Sequence, residues 1–138
     1  MKTDTVLNTG LNLLSQEIIG SCIDVHRALG PGLLESVYMD CLCRDLTLKG
    51  VSFSREPYLD IKYKGAVFHT RLRADLIVEK KIIVELKAVE NLLPLHEAQL
   101  MTYLKLTELE LGLLINFNVV LLKSGIQRIR LNHGRFDT

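Results

Sequence analysis

The chain has 138 residues, 48% of them hydrophobic and 24% charged, a balance that excludes intrinsic disorder for most of its length. It fits one domain able to bury roughly two thirds of its unfolded surface. The 17 lysines and arginines against 16 aspartates and glutamates leave a formal charge of +1, which excludes a protein that works by blanket attraction to phosphate, so any nucleic-acid contact must be locally organised.

No apolar run approaches the roughly 20 residues that cross a bilayer, and Met1 to Gly10 lack the layout of a secretory signal, so a cytoplasmic protein with no membrane partner is expected. Cys22, Cys41 and Cys43 are odd in number and fall in apolar helical patterns, as expected of reduced structural thiols. Cys41 and Cys43 stand two apart on an expected helix and so diverge, which argues against zinc.

Leu11, Leu14, Ile18, Cys22, Val25 and Leu29 recur at spacings of three and four and predict a helix with one buried stripe, ended by Gly30, Pro31 and Gly32. A second helix is expected from Leu33 to Lys49, with Leu34, Val37, Cys41 and Leu48 toward the core and a stop at Gly50. The period then changes to two: Val51 with Phe53, and Leu59, Ile61 and Tyr63 up to a turn at Lys64 and Gly65, read as strands. Two further strands, Val67 to Val78 and Lys81 to Val89, are joined by a tight turn at Glu79 to Lys81. After Pro94 a helix spans Leu95 to Leu106. Leu111 to Phe117 is a nearly continuous apolar run, the mark of a strand covered on both faces, and Ile126 to Leu131 gives an edge strand. Flexible tails are expected over residues 1–10 and 132–138, flanking a single domain over 11–131. The order of elements is that of an α/β or α+β fold with helices packed on a mixed sheet.

Asp75 to Lys87 carries the chemistry, because two charged side chains interrupt a strand that is otherwise apolar on both faces. Ile83, Glu85, Lys87 and Val89 share one face of that strand, and Ile82, Val84, Leu86 and Ala88 the other. Burying ionised groups is costly unless something pairs with them. A turn at Glu79 to Lys81 places Asp75 opposite Glu85 to within one residue, with Cβ atoms about 5 Å apart. Like charges there repel, and a divalent cation such as Mg²⁺ or Mn²⁺ would relieve the repulsion, with Lys87 one pleat away. The bland alternative is a salt-bridge network of these acids with Lys87, Arg71 or Arg73. On the helix after Pro94, His96, Gln99 and Tyr103 fall on one face, and an amide and a phenol four residues apart can donate hydrogen bonds to phosphate or water. Glu35 and Tyr38 pair similarly near the start of the second helix. Among the basic residues, Arg73 shares the parity of Asp75 and is expected on the same sheet face.

The segment Gly32-Leu33-Leu34-Glu35-Ser36-Val37-Tyr38 resembles the signature of the GxxExxY protein family, and its approach from Val25 to Pro31 is similar to the same family. The likeness continues through Glu85 to Val89, His96 to Leu100, Tyr103-Leu104 and Gly112 to Phe117, covering nearly the whole chain beyond the first ten residues. That family is placed with the PD-(D/E)XK nuclease-like superfamily. The resemblance therefore implies a restriction-endonuclease-like mixed sheet flanked by helices, and hydrolysis of phosphodiesters with Mg²⁺ or Mn²⁺. It makes Glu35 the helical acidic ligand, Asp75 the central aspartate, and Glu85 with Lys87 the Glu-x-Lys pair. Gln99 and Tyr103 match a Gln-x-x-x-Tyr helix of exonuclease-like relatives. Ala74, where the superfamily's label has proline, is a departure. His26 is a candidate additional metal ligand, with a hydrogen-bonded core histidine as the alternative; His96 is weighed in the same way, and His69 and His133 are expected on the surface.

The expected function is a metal-dependent nuclease acting on DNA in preference to RNA. Glu35, Asp75 and Glu85 would hold the ion, Lys87, Gln99 and Tyr103 would complete the catalytic set, and Arg73, Gln99 and Tyr103 would contact nucleic acid. The rival is a catalytically silent nucleic-acid- or partner-binding module on the same scaffold. A third reading buries an apolar edge, Leu111 to Leu122, in a homodimer.

Overall fold

The computed structural model describes residues 2–131. Helix α1 (Lys2–Leu29) and helix α2 (Glu35–Leu48) are followed by strands β1 (Phe53–Arg55), β2 (Tyr58–Tyr63), β3 (Ala66–Arg73), β4 (Leu76–Val78) and β5 (Ile82–Lys87). Helix α3 (Pro94–Thr107), strand β6 (Leu111–Asn116), a short 3-10 helix (Leu122–Gly125) and strand β7 (Ile126–Arg130) complete the fold. The main sheet has the order β1-β4-β5-β6-β7, with β5 and β6 parallel and the other pairs antiparallel. Strands β2 and β3 form a separate two-stranded hairpin.

The helix–strand order is the expected one, a mixed sheet flanked by helices. Its two faces follow from strand parity. Ile82, Val84 and Leu86 of β5, with Leu111, Leu113 and Ile115 of β6, pack with Ile18, Cys22 and Val25 of α1 and Tyr38, Leu42 and Leu46 of α2. On the other face, Ile83 and Leu114 meet Leu100, Tyr103 and Leu104 of α3 together with Leu59 and Ala74. With both faces covered, β5 and β6 can be apolar almost throughout. The cysteines are free thiols, two buried and one half-buried, and no helix among the described residues is long and apolar enough to cross a membrane.

Several boundaries depart from expectation. Helix α1 starts at Lys2, inside the stretch expected as a tail, whereas the tail over 132–138 lies outside the described residues. The buried residues of α2 are Tyr38, Met39, Leu42, Cys43 and Leu46, while Leu34, Val37 and Leu48 are exposed and Cys41 is half-buried. The expectation counted aliphatic residues and overlooked Tyr38, whose ring stacks on Phe117 at 4.4 Å between centroids. The stretch expected as one strand from Val67 to Val78 breaks at Ala74 and Asp75, and its halves join different sheets. Strand β5 ends at Lys87, and the backbone of Val89 pairs with a side chain instead: Asn116 Nδ2 donates to Val89 O, and Val89 N–H donates to Asn116 Oδ1. The stretch from Leu111 to Asn116 is no edge, because β6 lies between β5 and β7. The exposed apolar residues of the region are Val120 and Leu121.

Two glycines should respond oppositely to alanine. Gly20, inside α1, has open space where a Cβ would stand, so Gly20→Ala should stabilise by roughly 0.5–1 kcal/mol. A Cβ on Gly125 would collide with the main-chain carbonyl oxygen of Asn116, so Gly125→Ala should cost about 2 kcal/mol or more. Urea-denaturation midpoints of the two variants check both signs.

Candidate active site

The turn between β4 and β5 sets the register that brings the acids together. Glu79 and Lys80 both take positive φ, 52° and 55°, and Lys81 N–H donates to Val78 O, a tight turn that leaves Glu79, Lys80 and Lys81 between the innermost ladder partners. The ladder pairs Val78 with Ile82, Ile77 with Ile83 and Leu76 with Val84, so the next step places Asp75 beside Glu85.

There the regular ladder gives way to a reciprocal exchange. The Asp75 N–H donates to Glu85 Oε2 at 2.6 Å, and the Leu86 N–H donates to Asp75 Oδ2 at 2.7 Å. Glu85 is thus held by the main-chain N–H of Asp75 itself, and Asp75 by that of Leu86, the residue after Glu85, with one oxygen of each so committed. Glu85 is 5% exposed. Burial first, and then the neighbouring Asp75, push its carboxyl up to about 8. Asp75 is raised as well, chiefly by burial, with Glu35 and Glu56 adding to the rise and the Leu86 N–H and Lys87 opposing it.

Asp75 opens on a cleft of about 220 Å³ lined by Glu35, Ser36, Met39, Arg55, Glu56 and Leu86 as well. Glu35 is the first residue of α2, where the partial positive charge of the helix N-terminus favours a carboxylate. Its placement depends on Tyr38, one turn further on. The Tyr38 hydroxyl donates to Gly30 O at 2.6 Å and accepts from Leu33 N–H at 3.1 Å, pinning the loop that delivers the chain to α2. Gly32 in that loop has φ of +93°, a conformation that favours glycine.

Glu56 was not anticipated. It sits between β1 and β2 with φ of +51°, and its N–H donates to Asp75 O at 2.8 Å, so the main chain itself brings a further carboxylate into the cleft. No glycine or motif in the sequence marks it. Neighbouring Arg55 makes a 2.6 Å ion pair with Asp40, which keeps its guanidinium strongly protonated.

The other expected residues divide. Lys87, half-buried two residues beyond Glu85, lowers the proton affinity of both acids. Tyr103 is buried against the α3-side core within electrostatic reach of Glu85 and Asp75, its hydroxyl pKa raised mainly by burial. Gln99, one turn earlier on α3, is exposed. Arg73 closes β3, with its guanidinium 5.4 Å from the centroid of the Tyr58 ring; because β3 and β4 belong to different sheets, the parity argument linking it to Asp75 does not hold. The ring of His26 is buried beside Phe117, and its Nε2 lies 2.8 Å from Val119 O, the geometry of the hydrogen-bonded core histidine. His96 Nδ1 accepts from Leu93 N–H at the start of α3, a capping role. His69 is exposed and pairs with Asp60, and His133 lies outside the described residues.

Several carboxylates in one region suit a hard divalent cation, and positive charge there would relieve the repulsion that adds to burial in raising Asp75 and Glu85. Among the described residues, no three histidine, cysteine or acidic side chains are already gathered closely enough to enclose an ion. The donor set therefore fits a cation chemically without forming a closed cage.

A family model described as the PD-(D/E)XK nuclease superfamily matches residues 12–129. Its mixed sheet flanked by helices is the restriction-endonuclease-like arrangement. Among solved structures, one titled "Crystal structure of SSO0001" is 27% identical with a TM-score of 0.47; the match covers 70% of this chain and 48% of that one, so this chain spans about half its length. No curated protein matches significantly.

The raised carboxyls make the metal-free protein pH-sensitive in a defined direction. Folded Glu85 keeps a proton that the unfolded chain releases near 4.5, so the stability it contributes is full below that pH and is lost as pH rises toward about 8. Asp75 acts with the same sign. In chelator, urea midpoints should fall between pH 5 and 8, and Glu85→Gln should flatten the fall, leaving the variant more stable at pH 8 by an amount on the order of 1 kcal/mol or more.

Proposed function

The chain belongs to the PD-(D/E)XK nuclease superfamily, and on that premise we propose that it hydrolyses phosphodiester bonds of DNA, and RNA less readily, with Mg²⁺ or Mn²⁺. Within the superfamily, the segment from Gly32 to Tyr38 supports a place among the GxxExxY proteins. The observation that carries the reading is the reciprocal locking of Asp75 and Glu85 with Lys87 two residues along the same strand.

Glu35, Asp75 and Glu85 are the residues proposed to hold the ion, and Glu56 stands at the same cleft. A divalent cation held there would polarise a phosphoryl oxygen and make a water more acidic. Lys87 supplies an ammonium beside two carboxylates, suited to orient the attacking water or to offset charge growing on the phosphoryl oxygens. Tyr103 can donate a hydrogen bond from its hydroxyl, and Gln99, on the exposed turn before it, can donate from its amide to a phosphate. Arg73 offers a contact to the nucleic-acid backbone. His26 stays outside the proposed ligand set, since Val119 O already engages its Nε2. Free cysteines accord with a cytoplasmic setting.

The absence of a closed ligand cage among the described residues favours one rival, a silent binding module on the same scaffold. Calorimetric titration with Mn²⁺ near neutral pH separates the two: binding supports the nuclease, and none supports the module. The purified protein should cleave DNA with Mg²⁺ or Mn²⁺ and not in EDTA. Asp75→Asn, checked for folding by circular dichroism, should lose at least about a hundredfold in rate. Equal cleavage by that variant would identify a contaminant and remove the proposal.

A further inference from the structure

Residues 57–74 form an arm inserted between β1 and β4, which are themselves paired in the main sheet. Its root is the cleft: Glu56 precedes it, Asp75 follows it, and the Glu56 N–H to Asp75 O hydrogen bond closes its base. The arm holds Lys62, Lys64, Arg71 and Arg73 against Asp60 alone, a surplus of three where the whole chain carries +1, so the rest of the molecule is net acidic. Its single acid is engaged, since Asp60 pairs with His69 at 2.9 Å. Among the described residues, none of the four cations makes an ion pair with a carboxylate.

The register sorts these residues by face. Lys62 opposes Val67, Asp60 opposes His69 and Tyr58 opposes Arg73, which puts Lys62 and Arg73 on one face with Tyr58, and Tyr63 and Phe68 on the other; Arg71 lies in an irregular stretch where Thr70, Arg71 and Leu72 face Leu59 alone. Arg71 and Arg73 are both exposed, two residues apart at the end of β3. Lys62 and Tyr58 also line a groove shared with Lys80 and the end of α3. Concentrated, exposed and unpaired positive charge beside an aromatic ring is the chemistry that holds a phosphodiester backbone.

We propose that the exposed cations of the β2–β3 arm, Lys62, Arg71 and Arg73, grip the phosphate backbone of nucleic acid and feed it to the cleft at the arm's root. This deepens the nuclease reading and rests on it for the identity of the polyanion. The test measures fluorescence anisotropy of a labelled 20-nucleotide DNA, single- and double-stranded, in EDTA across a salt series, with the wild type and the double variant Lys62→Ala/Arg71→Ala. The variant should bind about tenfold or more weaker, with a log Kd against log salt slope shallower by about 1.5, at an unchanged melting temperature. The two single variants should each show part of the loss.

Wild-type affinity and slope in the double variant would overturn the proposal, as would binding of the arm to phosphatidylserine vesicles with none to DNA. The two readings fail separately. DNA bound through the arm but never cut in any metal removes the nuclease and leaves the grip, whereas metal-dependent cutting with binding indifferent to Lys62 and Arg71 removes the grip and leaves the nuclease.

Discussion

Two carboxylates pressed together in a largely buried corner of the sheet are the constraint around which the fold is arranged. Glu85 sits in β5, where five of the six residues are buried and an unpaired charge would be prohibitive. Among the described residues, no salt bridge offsets it. The main chain does, through the N–H of Asp75, while the side chain of Asp75 takes the N–H of Leu86. This exchange also explains why the polypeptide leaves its strand between Arg73 and Leu76. The Asp75 N–H is taken by Glu85 Oε2 and its carbonyl by the Glu56 N–H, so the main chain there has no groups left for the β4–β5 ladder, and the break in the strand and the pairing of the acids go together.

The surroundings hold that corner in place from the far side of the sheet. Phe117, directly after β6, stacks on Tyr38, and Tyr38 in turn ties down Gly30 and Leu33 ahead of Glu35. Asn116 extends β5 past Lys87 by imitating a peptide group against Val89. His26 fastens the end of α1 to Val119. These polar contacts cluster where α1, α2 and the ends of β5 and β6 meet, so the cleft is bordered by elements whose positions are mutually fixed. Burial of the aromatic pair adds an apolar contribution of a few kcal/mol, as is usual for enclosed aromatic side chains.

What could be read from the residues depended on how local the governing rule was. The faces of β5 were legible because strand parity is strictly two, and Ile83 and Val84 do lie in opposite cores. The proximity of Asp75 and Glu85 was legible because a turn confined to Glu79, Lys80 and Lys81 leaves little freedom of register. The buried stripe of α2 was not, since it turns on Tyr38 and Met39, residues whose burial depends on Phe117 and the rest of a core remote in sequence. The strand break escaped notice because Ala74 and Asp75 carry no glycine or proline. Glu56 escaped for a related reason: it adopts a left-handed backbone without the residue type that announces one, and only the tertiary bond to Asp75 reveals it.

The inserted β-hairpin has a consequence for how such a scaffold can diversify. From Tyr58 to Arg73 it contributes one buried side chain, Leu59, and its two ends are already joined at the neck. Length, charge and aromatic content beyond that neck can therefore drift with little penalty to the interior. A lineage could retool what the molecule holds, by grafting one appendage for another, while leaving the carboxylate chemistry beneath it untouched.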